Sequence, residues 1–118
     1  MKCSSCHNAL GSRAEKLIAA KSINDKCYEC HTEKQAPVLW EHALVKEDCM
    51  TCHSPHGSSN NKMLTVKVPR LCQSCHMQGR HQSGTLATNS AFAANRSCLN
   101  CHAMVHGSNH PSGTVLQR

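Results

Sequence analysis

Apolar residues along this chain come in short bursts, none long enough for an ordinary core element. Ser12 and Glu15 form a capping box ahead of Leu17, Ile18, Ala19 and Ala20, so the pattern predicts a short helix over 13–22. Asn24 can cap a further turn that carries Cys27 to His31. Pro37 suits the first position of a helix running to about Glu47, with Trp40, Leu44 and Val45 as its apolar face and His42 nearby. From Ser54 to Lys62 the text is polar and loop-like. Pro69 opens a short helix through Cys72, Cys75 and His76; Gly79 to Thr88 is again loop; Asn89 or Ser90 caps a helix carrying Cys98 to His102. The tail from Gly107 to Gly113 is irregular. No stretch shows the alternation of a half-buried strand, and none reaches membrane-spanning length. The expectation is one mostly α domain over 1–118 with extensive coil.

Such a chain has too little side-chain mass to fill its own interior. It holds one Trp, one Tyr and one Phe, 3% aromatic, in 118 residues. A core of this size normally draws on aromatic and aliphatic side chains. Something other than side chains must supply the missing apolar volume.

The cysteines say what. All ten fall in five copies of Cys-x-x-Cys-His, at Cys3/Cys6, Cys27/Cys30, Cys49/Cys52, Cys72/Cys75 and Cys98/Cys101. This spacing is the attachment signature of c-type haem. Two thiols form thioethers to the vinyl groups of one porphyrin, and the adjoining histidine ligates its iron. The copies start 24, 22, 23 and 26 residues apart, an internal repeat whose unit is the haem. With about 24 residues to each porphyrin, the haems must form a packed, elongated core, and the apoprotein should not fold.

The histidines match that count. His7, His31, His53, His76 and His102 close the motifs; His42, His56, His81, His106 and His110 remain. Five irons with two axial positions need ten imidazoles, so bis-histidine ligation throughout is expected, with no iron open to substrate and no enzymatic activity. His56 and His106 follow too closely on proximal histidines to cap those same haems, so each is expected to serve a neighbouring one. His42, seven residues before Cys49, could reach haem 3. Met63 is the rival sulfur ligand; Met50, Met77 and Met104 lie too near proximal histidines and pack against porphyrin instead. Zinc is disfavoured, because zinc fingers place their histidines well downstream of the cysteines.

The formal charge of +6 invites a nucleic-acid reading. It fails, because lysines and arginines are scattered and each haem adds about −2 through its propionates and about +1 at its ferric centre, so five add about −5, leaving about +1 oxidised and about −4 reduced. Haem attachment normally occurs outside the cytoplasm, yet Met1-Lys2 runs straight into Cys3. An exported chain whose leader is not in this sequence is expected.

Cys49-Met-Thr-Cys-His-Ser-Pro-His-Gly, continuing to Leu71-Cys72-Gln-Ser-Cys75-His76, is similar to the doubled motif of multihaem cytochromes. The ending from Cys98 through Val105-His106-Gly-Ser-Asn-His110-Pro-Ser-Gly113 resembles the periplasmic decahaem c-type cytochromes of the MtrA/DmsE type. The whole chain resembles one five-haem module of that family, most like the C-terminal half. The resemblance implies a bis-histidine haem wire, His106 and His110 as distal ligands, and periplasmic or outer-membrane-associated electron transfer. It also implies redox protein partners and an outer-membrane β-barrel porin. Five haems, where the family has ten, depart from that pattern. Pentahaem donors of the NrfB type share the haem number but not the tail. Electron supply to a periplasmic terminal reductase is therefore the second reading. A conductive filament in which His81 or His110 ligates a haem of the next subunit is the third.

Overall fold

The computed structural model describes residues 1–35, 37–76 and 97–117. It is a long body of 59 × 31 × 21 Å with a radius of gyration of 16.9 Å. A compact chain of this length would have about 13 Å. The accessible surface is 9438 Å², against about 6300 Å² for a folded monomer of this mass. Among the described residues the buried hydrophobic side chains are Ile18 and Leu116, while Leu10, Leu39 and Leu17 lie exposed. The polypeptide thus forms a frame with apolar side chains facing open space, as expected of a core completed by porphyrin.

The helices are short. α1 spans Ile23–Tyr28, α2 Ala43–Glu47 and α3 Arg70–Gln73. Ser22, rather than Asn24, caps α1, its hydroxyl accepting from the Asp25 amide at 3.0 Å. Asn24 is instead buried beneath the helix. Its amide group donates to the Val45 and Lys46 carbonyls at 3.2 and 3.1 Å, and its oxygen accepts from the Cys49 amide at 2.8 Å. One side chain therefore joins the second attachment motif to the third and terminates α2.

One expected helix is absent and another is shortened. Residues 13–22 do not form one: Glu15–Leu17 is a single 3₁₀ turn, and Lys16 and Leu17 are left-handed at φ 56° and 58°. The Ser12 hydroxyl is spent on the Ile18 carbonyl, not on a helix N-terminus. The capping box is real as a local signal, but a tertiary demand described below overrides it. The helix starting at Pro37 is likewise cut to α2, and Trp40 lies outside it. Trp40 pairs with Ser108 in an isolated antiparallel bridge, each amide donating to the other's carbonyl at 3.0 Å. Of the helix expected from Asn89 or Ser90, the described part is a 3₁₀ turn over Cys98–Asn100; the loop expected over 79–88 lies outside the described residues, as does His81. The helix expected from Pro69 through Cys75 and His76 forms only as α3, which stops at Gln73 before both. The three isolated bridges, His7 with Ile18, His53 with Leu64 and Trp40 with Ser108, are the described β pairing.

Replacing Asn24 with Ala should cost the holoprotein about 2 kcal/mol, since it orphans two carbonyls and one amide at a buried joint. Denaturant unfolding followed in the haem Soret band measures it; an unchanged midpoint would show that the joint carries no stability.

Candidate haem-binding site

The repeat is built from two alternating kinds of seat. The first, third and fifth attachment motifs each start as a 3₁₀ turn, over Cys3–Ser5, Cys49–Thr51 and Cys98–Asn100. The second and fourth sit on the short helices α1 and α3. The structural unit is therefore a pair of motifs, where the spacing alone suggested single haems.

In the odd seats the chain after the motif turns back on it. The Asn8 amide donates to the Leu17 carbonyl at 2.8 Å and the Ala19 amide to Cys6 at 2.9 Å. In the third motif, Ser54 donates to Met63 at 2.8 Å and Thr65 to Cys52 at 2.9 Å. Lys16-Leu17 and Lys62-Met63 share the left-handed conformation, φ 56° and 58° against 58° and 52°. That conformation costs about 1 kcal/mol per residue for side chains of this kind. What it achieves is visible at the histidines. The ring Nδ1 of His7 lies 2.8 Å from the Lys16 carbonyl, that of His53 2.9 Å from Lys62, and that of His102 2.6 Å from Val115.

A carbonyl oxygen only accepts, so each of these Nδ1 atoms carries the proton. The lone pair is then on Nε2, the tautomer that ligates metal, with its ring orientation fixed by the second bond. The Ser12 and Ser58 hydroxyls brace the returning strand by donating to Ile18 and Leu64. This demand on Lys16 is the reason residues 13–22 cannot be helical.

Three of the motif histidines face another imidazole. His7 and His56 have ring centres 5.8 Å apart at an interplanar angle of 22°. His53 and His106 are 6.2 Å apart at 14°, and His42 and His76 6.1 Å apart at 25°. Two metal–imidazole bonds of about 2 Å, plus about 1 Å from each nitrogen to its ring centre, place ring centres about 6 Å apart. The gaps fit one metal each. One ring nitrogen of His42 is buried with no hydrogen-bond partner among the described residues, so hydrogen bonding does not explain where that ring stands. Burial, then the nearby cations Lys34 and Lys62 and the rings of His53 and His42, hold the His106 pKa below its usual value, which favours the neutral, ligating form.

The pairings settle where the expected distal residues stand. His56 and His106 do face neighbouring motifs rather than their own. His42 does not face His53 of the third motif; it faces His76 of the fourth, and His106 faces His53 instead. Met63 occupies the position that Leu17 fills in the first loop, an apolar wall position.

His31 differs from the odd-seat rings, its Nδ1 lying 3.6 Å from the Glu33 carboxylate. His110 sits in a turn and its Nδ1 accepts from the Ser112 amide at 3.1 Å.

All ten thiols are unpaired, and their covering differs along the chain. The Cys49 thiol is pushed up to about 11 by burial and then by Cys27 beside it; Cys72 is pushed up to about 11 by burial and by Cys98. The second motif thus abuts the third, and the fourth the fifth. Cys3, Cys30, Cys75 and Cys101 are exposed, and the other six are half-buried. α1 ends at Tyr28, before Cys30, and the 3₁₀ turn of the fifth motif ends at Asn100, before Cys101. Each of the two amides closes a turn onto the first cysteine of its motif, Cys30 onto the Cys27 carbonyl and Cys101 onto that of Cys98, both at 3.2 Å. The turn fixes the spacing of the two thiols, but the outer one is left for the porphyrin, not the polypeptide, to cover.

At the first motif an open concavity of about 760 Å³ is lined by Cys3, His7, Leu10, Leu17 and Ala19. That is ample for a planar, largely apolar cofactor. Among the described residues no three His, Cys, Asp or Glu side chains converge as a cage for a bare metal ion. No helix among the described residues is long and apolar enough to cross a membrane.

Among known proteins the motif recurs in doubled form. Residues 1–36 and 42–81 match the doubled CXXCH motif. The chain is also similar over its whole length to the multihaem cytochrome MtrA of Shewanella baltica strain OS185, 52% identical over 127 aligned positions. It spans 38% of the length of that protein. These matches place the chain in the doubled-CXXCH family, as an MtrA-like multihaem cytochrome module whose motifs attach haem c covalently.

Proposed function

We propose that the chain carries five haems, each ligated by two histidines, and conducts electrons along its long axis between redox protein partners. The observation that carries this reading is the set of three opposed imidazole pairs, each spaced for one iron. His31 and His102 would be the remaining proximal ligands and His81 and His110 the remaining distal ones, in keeping with the equality of five motifs and five further histidines; for His110 this requires its Nδ1 to give up the bond from the Ser112 amide, so that the proton can leave Nε2.

The haems supply reversible one-electron chemistry at iron. The polypeptide's part is attachment, spacing and insulation. Cysteine pairs fix each porphyrin edge, backbone carbonyls orient the proximal rings, and Leu10, Leu17 and Val66 offer apolar walls. A chain whose axial positions are all filled by imidazole has no vacant site for substrate, so it acts as a carrier and not as an enzyme. The 59 Å length suits transfer between partners at opposite ends. In an exported setting, a β-barrel porin of the outer membrane is the fitting sheath for such a wire, and periplasmic donors its fitting source of electrons.

Intact mass after denaturation should show five haem additions, with no thiol left to react with iodoacetamide, the exposed Cys30 and Cys101 included. Fewer additions, or free thiols, would remove the wire. Electron paramagnetic resonance of the oxidised holoprotein should show low-spin ferric haem only. Changing His56, His106 or His42 singly to Ala should convert one low-spin signal in five to high-spin, at haems 1, 3 and 4 respectively.

A further inference from the structure

Two of the opposed pairs depend on one distant joint. Trp40 and Ser108 form the antiparallel bridge, both hydrogen bonds being 3.0 Å long. Next to it the Leu39 amide donates to the Asn109 side-chain oxygen at 2.8 Å across 70 positions of sequence. Ser108 is 2% exposed. Gly107 is at φ 117°, and a Cβ there would stand 2.6 Å from a methyl of Val38. A Cβ added at Gly113 would come to ordinary van der Waals distance from the Trp40 ring. The contact is therefore close, specific in register and intolerant of added bulk.

His42 stands two residues after Trp40, and His106 two residues before Ser108. In an antiparallel register, 42 falls opposite 106. The two rings leave the same end of the joint, yet they face different partners: His42 meets His76, and His106 meets His53. We propose that the joint of residues 38–40 with 107–109 is a positioning device shared by two haems, setting the distal ligands of haems 3 and 4 together and holding those haems at a fixed mutual spacing. Gly107, Asn109 and Val38 are then positioning residues: none touches iron, and each acts through His42 or His106. Haem 1 lies outside their reach, because His56 and His7 are held by the first and third loops instead.

This rests on the bis-histidine reading above, and the wild-type spectrum separates the two: high-spin haem there overturns that reading, whereas a wholly low-spin wild type leaves the variants to judge the joint alone. Gly107→Val in the holoprotein should keep all covalent haems by mass and lose the low-spin signals of haems 3 and 4 together. Gly11→Val is the matched control, at φ 127° with nothing within 4 Å of the added Cβ. It carries the same backbone strain and should leave the signals of haems 3 and 4 in place. Loss of one of the two signals, of neither, or of both in the control as well overturns the proposal. If Gly107→Val loses every low-spin signal through general unfolding, Asn109→Ala decides. It removes the acceptor of the Leu39 amide and should shift the midpoint potentials of haems 3 and 4 together; a shift in neither, or in only one, is the overturning result.

Discussion

The structure depends on a single hydrogen bond repeated down the chain, from a histidine Nδ1–H to a main-chain carbonyl. It fixes the tautomer, and so decides which nitrogen can reach iron. It also explains otherwise costly features: the left-handed Lys16-Leu17 and Lys62-Met63 pairs and the serine hydroxyls turned back on Ile18 and Leu64. Local conformational preference yields to this bond because a misoriented ligand would leave a haem without its anchor, and the haem stands in for the hydrophobic core.

A core made of cofactor changes what stability means. With Ile18 and Leu116 as the buried hydrophobic side chains among the described residues, the apolar burial that offsets chain entropy must come from porphyrin faces. Folding and haem attachment are then one event. Polar joints such as Asn24 and the Trp40–Ser108 bridge do not supply the driving force; they decide which of many haem-packed arrangements is reached.

The attachment chemistry was legible from sequence because it is local: Cys-x-x-Cys-His brings thiols and ligand together within five residues. How far each thiol is covered was not, since Cys49 and Cys72 are shielded by neighbouring motifs while Cys30 and Cys101, with the same local signature, stand open. The matched histidine count carried the expectation of opposed rings, and the structure brings three such pairs together. The partner of His42 was not legible. It belongs to the fourth motif rather than the adjoining third, and no nearby pattern encodes that contact. The helix expected over 13–22 failed for the same reason: Ser12 and Glu15 do resemble a helix start, and only the need of His7 for the Lys16 carbonyl overrules them. The pairing of motifs into two alternating seats was hidden because the intervals of 22 to 26 residues are nearly even, although the folds of the odd and even seats differ. Comparing residues 3–19 with 49–65 would have exposed it, through the shared Gly-Ser at 11–12 and 57–58 and the shared Lys at 16 and 62.

The acceptor beneath His7, His53 and His102 belongs to the peptide backbone, and no codon change deletes a peptide oxygen. Point mutation therefore has no direct grip on the inner face of these three seats. Over evolutionary time, differences in electron affinity among them must be written elsewhere: in the opposing imidazole, in wall side chains such as Leu17 and Met63, and in cations such as Lys34 and Lys62. The even seat at His31, which faces a replaceable carboxylate, carries no such protection.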